Sequence, residues 1–431
     1  MTAPRTPARL VPLLYLGTAH TSLALAFLLV GLWPRSVAGF FYHAWMVGLV
    51  HLVTLGWITF SILGAIYIVG PIALRMEMPQ RRIDVVMYVC AITGLIGMVG
   101  HFWIERYAGM AWSAGIVATA VLYMTWRIGA GILRAPVQPA VKLHIVLACA
   151  NFWIAATMGL LVAWNKTSHA LPGFVLSNVF AHAHLAALGW ATMMVIGVAY
   201  RLLPMTLPSK ILAGRPAVAG GVLLEVGVLG LFVSLLRRSS WAFVFGALFI
   251  AGVAVFAAHV VWMAKHPAAR QPGMPRPDFG VLHAAAAGVW LVAAAAAGLV
   301  LAVAAPSVRM LHLAAAYGVA GLVGFLAQIV VGMEGRLVPL VTWFWSYADS
   351  GYRIPPPSPH TMRDRTLQTI VFAGWTAGVP ALAAGMYLES AGLVAAGAWS
   401  LFAGVTIAAL DNGLVVAAHW RRNVSQTRAT A

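Results

Sequence analysis

Apolar residues run along this chain in long unbroken blocks, without the strict alternation of a half-buried strand. Blocks of roughly 20 apolar residues, the length a helix needs to cross the hydrocarbon core, fall at about 10–32, 43–70, 85–105, 108–130, 143–164, 176–203, 215–236, 241–264, 280–303, 309–333, 367–388 and 391–417. In lipid only helices and closed barrels satisfy every backbone polar group, and these blocks have helical length. The pattern therefore predicts an all-α polytopic membrane protein of about twelve transmembrane helices. The connections are short except for about 334–366, whose aromatic run Trp343 to Tyr347 and prolines Pro355 to Pro357 read as an interfacial stretch and a stiff turn.

Within the blocks one template recurs. His51, Gly56, Gly64 and Pro71 share their spacing with His184, Gly189, Gly197 and Pro204, both reading His-x4-Gly-x7-Gly-x6-Pro. A third copy starts at His312 and continues through Gly318, Gly324 and Gly332 to Arg336 and Pro339, with drifting spacing. Copies on helices 2, 6 and 10 imply a four-helix unit used three times, at 10–130, 143–264 and 280–417, in a pseudo-threefold bundle. The glycines thin one side of each helix, which suits tight helix packing and also a flat macrocycle.

Composition changes this picture little. With 62% hydrophobic and 9% charged residues the chain is far from a soluble domain. The net charge of +17 raises the question of nucleic acid, but its distribution answers it. Of 27 Lys and Arg, only Arg35, Arg106, Lys166, Arg237, Arg238 and Arg309 fall on one side of the predicted topology, and the rest fall on the other. That is the positive-inside bias; it puts both termini in the cytoplasm and makes the bilayer, with no nucleic acid, the partner. The first block comes after a basic start but is too long for a signal peptide. The two cysteines, Cys90 and Cys149, lie in separate helices, so neither a disulfide framework nor covalently attached haem is expected.

The same topology gives the histidines a depth. His43, His51, His182, His184 and His312 fall in the outer half, with His101 near the end of helix 3, while His20, His144, His259, His283 and His419 lie toward the cytoplasmic ends. One intramembrane histidine is ordinarily a hydrogen-bonded packing residue. Six at one depth point instead to ligation, because neutral imidazole binds haem iron and copper well. His182 and His184 are about 200° apart on a helix and so face different sides.

Twelve helices with both ends inside, threefold repetition and outer-half histidines on helices 2, 6 and 10 resemble the haem-copper oxidase subunit I superfamily. The His-x4-Gly motif looks most like its divergent NnrS-type and nitric oxide reductase-like members. The resemblance implies haem b, with copper as a further candidate, and His51 and His312 as axial ligands; it makes His184 a further haem ligand. His182 and His184, with His101 or His43, are the metal candidates. The chain departs from the family in having one histidine on helix 10 and none in 215–236, and His182-Ala-His184 stands in place of the helix 6 signature. A standard oxygen-reducing centre is therefore not expected.

The resemblance thus implies a bacterial inner-membrane haem protein engaged in nitric oxide or oxygen chemistry, response or electron transfer, with a diatomic gas and an electron-donor protein or quinol as partners. Whether it is an oxidoreductase stays open. Two other classes remain: a transporter or metal-handling protein with a histidine-lined path, and a cofactor-free accessory subunit. Glu225, near the middle of helix 7, is the one acid singled out, either as a proton relay or as a neutral acid bonded to a neighbouring helix.

Overall fold

The computed structural model describes residues 6–210, 212, 214–269 and 276–430. Arg5 and Arg270, counted above on the basic side, lie outside them, as do the side chains of His419, Arg421, Arg422 and Arg428. Among the described residues the chain is all-α, without strands. Twelve helices are long and apolar enough to cross a membrane. They are α1 (Leu10–Leu32), α2 (Ala44–Ile72), α3 (Arg82–Trp103), α4 (Tyr107–Arg134), α5 (Pro139–Ser168), α6 (Val175–Pro204), α7 (Arg215–Arg237), α8 (Trp241–Lys265), α9 (Phe279–Val303), α10 (Val308–Asp349), α11 (Arg365–Tyr387) and α12 (Ala391–Ala418). The protein is a multi-pass helical bundle.

Local chemistry sets the helix ends. Asp278 and Asp364 accept from the backbone N–H groups of Val281 and Leu367 at the starts of α9 and α11, and Ser307 does the same for Met310 at the start of α10. At α3 the Arg81 N–H donates to Asp84 at 2.7 Å. His169 and Arg238 close α5 and α7 in the left-handed conformation.

α10 departs from the sequence expectation. It does not end near 333 but continues through Pro339 to Asp349, so the aromatic run Trp343 to Tyr347 is helical and only the segment after it turns. The helix is long enough to carry Glu334, at 3% exposure, into the bundle.

Three stretches of α2, α6 and α10 leave α-helical geometry for wider π-helical turns, at Leu52–Thr59, Leu185–Thr192 and Val319–Ala327. These stretches touch one another pairwise and so form the axis of the bundle. A π turn takes in an extra residue and rotates the part of the helix before it relative to the part after it. It also frees carbonyl groups, and the Thr192 hydroxyl donates to one of them, Ala187 O, at 2.9 Å.

The glycines are seats for neighbouring helices. A Cβ at Gly56 would lie 2.6 Å from Ser22 of α1, one at Gly189 would lie 2.9 Å from Asn151 of α5, and one at Gly324 would lie 2.5 Å from Trp290 of α9. Eight residues on, Gly64, Gly197 and Gly332 are pressed by Leu16, His144 and His283 of the same three helices. Each central helix thus packs on the first helix of its own group at two points. Beside the first glycines, Trp57, Trp190 and Phe325 are buried, and Trp190 Nε1 donates to Thr59 Oγ1 at 3.2 Å, tying α6 to α2. This aromatic layer divides the bundle into two halves. The half toward Arg9 and the 350–364 connection is the basic face, and the other is the opposite face.

Candidate functional site

The intervals Gly56 to Gly64 to Pro71, Gly189 to Gly197 to Pro204 and Gly324 to Gly332 to Pro339 are identical. Counting back five residues from the first glycine gives His51, His184 and, in the third helix, Val319. His312 lies a further two turns toward the opposite face. There its Nε2 is 3.0 Å from Glu389 Oε1, in the turn between α11 and α12. The imidazole of His312 is thus engaged by a partly exposed carboxyl group.

The other outer-half histidines divide by where their rings turn. His43 caps the start of α2, accepting from the Met46 N–H at 3.4 Å. His101 bonds Gly97 O at 2.6 Å and packs into the α3–α4 contact against Gly109 and Ser113. His182 reaches sideways to α5, bonding Ala155 O at 2.9 Å, with its ring seated over Gly159. His184 turns toward α10, where Tyr317 stacks beside it and places its hydroxyl 3.1 Å from Nε2. His182 and His184 therefore diverge, as their spacing requires. Among the described residues no three of His, Cys, Asp and Glu converge to hold a metal ion.

His51 and His182 are the two that remain together. Each lies within electrostatic reach of the other. His51 bonds Val47 O at 2.8 Å through Nδ1 and stacks on Phe102 at 5.6 Å. A carbonyl oxygen can only accept, so Nδ1 carries the proton in both residues and Nε2 is left as a lone pair. Among the described residues neither Nε2 has a hydrogen-bond partner. Imidazoles that bind metal have the same arrangement, one nitrogen held by a carbonyl and the other bare. At His184 the Nδ1 bond to Phe180 O, 2.8 Å, fixes the same tautomer, but the Tyr317 hydroxyl donates to its Nε2.

Glu225 of α7 accepts from Asn151 Nδ2 of α5 at 2.8 Å, so it is bonded to a neighbouring helix. Arg201 donates to Ala73 O just past the end of α2 at 2.6 Å, and Arg336, within α10, pairs with Asp278 at the start of α9. Asp411 of α12 pairs with Arg363 at 2.6 Å.

Sequence reading missed Tyr317 as a partner of His184, and it missed Glu334 altogether. The signal for Glu334 was present: the shared interval from Gly332 to Pro339 places residue 334 as deep in α10 as Ile66 lies in α2. Ending the helix at 333 put it in a loop. No family model matches the chain, and no curated protein matches it either.

Proposed function

We propose that this chain is a divergent member of the haem-copper oxidase subunit I superfamily that binds haem b, or copper at the same place, through Nε2 of His51 and His182. The observation that carries the reading is two imidazoles within electrostatic reach of each other, whose Nδ1 protons are held by carbonyl oxygens and whose Nε2 lone pairs accept no hydrogen bond among the described residues. These residues fit the group in donor type and tautomer, which the pair of His51 and His312 does not, since His312 is engaged by Glu389. The carbonyl bonds raise the basicity of both ligands and hold their ring planes. The bound group would supply one-electron chemistry and affinity for a diatomic gas such as nitric oxide or oxygen. The bundle would exclude bulk water around it, and the aromatic layer of Trp57, Trp190 and Phe325 would separate it from the basic half. The charge asymmetry supports a bacterial inner-membrane location.

The test is the absorption spectrum of the purified protein with and without dithionite, together with elemental analysis. Reduced haem bands lost in His51→Ala and in His182→Ala, and kept in His312→Ala, are the expected result. A colourless, metal-free protein from haem-replete cells would overturn the reading, and copper without haem would favour the metal-handling class.

A further inference from the structure

In the basic half, α1, α2 and α10 enclose a set of polar side chains that the proposed ligand site does not use. Glu334 is 3% exposed, and its Oε2 lies 3.4 Å from His20 Nε2. Ser61, at 1% exposure, approaches the same carboxyl from α2. Trp57 meets His20 edge-on at 5.1 Å. Among the described residues, neither oxygen of Glu334, nor the Ser61 hydroxyl, nor Trp57 Nε1 completes a well-formed hydrogen bond.

The pair requires a proton. His20 Nδ1 bonds Leu16 O at 3.0 Å, so Nδ1 carries hydrogen and a neutral His20 presents a lone pair at Nε2. A lone pair facing an ionised carboxyl oxygen repels it, so one further proton must lie between the two, on oxygen or on nitrogen. An ionised, unpaired carboxylate at that burial would be far more costly than the shared form. The surroundings are of the kind that hold water. Buried polar atoms of Glu334, Ser61 and Trp57 without protein partners are the condition under which internal water is retained.

The charged groups facing Glu334 are few. His20 comes from α1, and Arg363 comes from the connection before α11, its guanidinium lying against Gly335. Arg363 is itself held by Asp411 of α12, and His283 of α9 lies within its electrostatic reach. This chain of groups runs from the pair toward the connection between α10 and α11.

We propose that His20 and Glu334 form an internal, hydrated proton-binding site supplied from the basic face past Arg363 and Asp411. A proton taken from water adds to the Glu334 carboxylate and is shared with His20 Nε2; its release reverses the step. The site does not depend on a bound haem or metal.

Infrared spectroscopy of the purified full chain in H2O and D2O tests this. In the difference between the unaltered protein and E334Q, the expected signal at neutral pH is either a protonated carboxylic acid or a carboxylate accompanied by imidazolium. It should shift on transfer to D2O, and more slowly in R363Q. A carboxylate without imidazolium would overturn the proposal, and so would a carboxylic acid that does not exchange over hours. If E334Q fails to fold, 15N-histidine labelling of the unaltered protein, with H20Q for assignment, reads the same proton at Nε2. An Nε2 without a proton or a hydrogen-bond shift across the pH range would again overturn it.

Discussion

On the opposite-face side of the aromatic layer, His51, His182 and His184 bond carbonyl oxygens at 2.8, 2.9 and 2.8 Å, and their second nitrogens point away. On the basic side, Glu334, Ser61 and Gln328 are buried and find little in the protein to bond. The difference comes from where the partners are. His51 and His184 use a carbonyl one turn back on their own helix, so that bond needs no second helix. A carboxyl or an amide in the other half must wait for another helix or for water. The first arrangement leaves a free ligand atom at His51 and His182, Nε2 of His184 being taken by Tyr317, whereas the second leaves an unfilled hydrogen-bonding demand.

Not every polar group in the basic half is left wanting. Asp84 is fully buried and pairs with Arg127 at 2.5 Å; Tyr123 donates to the same carboxylate, and Arg127 also reaches Tyr67 and Pro79 O. This network staples the α2–α3 connection onto α4. Removing one member would leave a buried charge without its partner. Asp84→Asn is therefore expected to cost about 3–5 kcal/mol, read as a lowered unfolding midpoint in detergent, while the histidine half keeps its spectrum in the surviving fold. A loss below about 1 kcal/mol would show that the pair is solvated in the membrane-embedded protein.

At the boundary between the halves, Gly189→Ala should cost about 1–3 kcal/mol, because the new methyl would meet Asn151 and α5 would have to shift. An unchanged midpoint would mean that the α5–α6 contact is looser than the glycine seat implies. In the opposite half the effects shrink. Tyr317→Phe removes one hydrogen bond and should cost about 0.5–1.5 kcal/mol, but it frees His184 Nε2. Its sharper readout is spectral: an altered ligand field would make His184 a competitor for the bound group, and an unchanged one would confine binding to His51 and His182. The smallest effect is expected for His312→Ala. Its pairing with the half-exposed Glu389 should contribute no more than about 1 kcal/mol, and loss of a chromophore in that variant would return His312 to the ligand set.

The candidate site was legible unevenly. The template of one histidine and two glycines was visible in two copies, and the opposed directions of His182 and His184 came from helical spacing alone. The third copy was misaligned because His312, the nearest imidazole, was taken as its start. The shared interval among Gly324, Gly332 and Pro339 puts Val319 at that position instead. Glu334 was lost with the helix boundary, since Gly335, Arg336 and Pro339 look like a stop signal until α10 is seen to run through them.

The sequence by itself determined the membrane-spanning class, the number of spans and their helical character, because burial of apolar blocks and internal satisfaction of backbone groups are properties of each segment alone. Only the tertiary structure decided which histidines meet which partners: His182 with the Ala155 carbonyl, His184 with Tyr317, His312 with Glu389, and His20 with Glu334. Those pairings join residues of different helices, and they depend on how the π-helical turns rotate α2, α6 and α10 against one another, a rotation that no spacing within a single helix records.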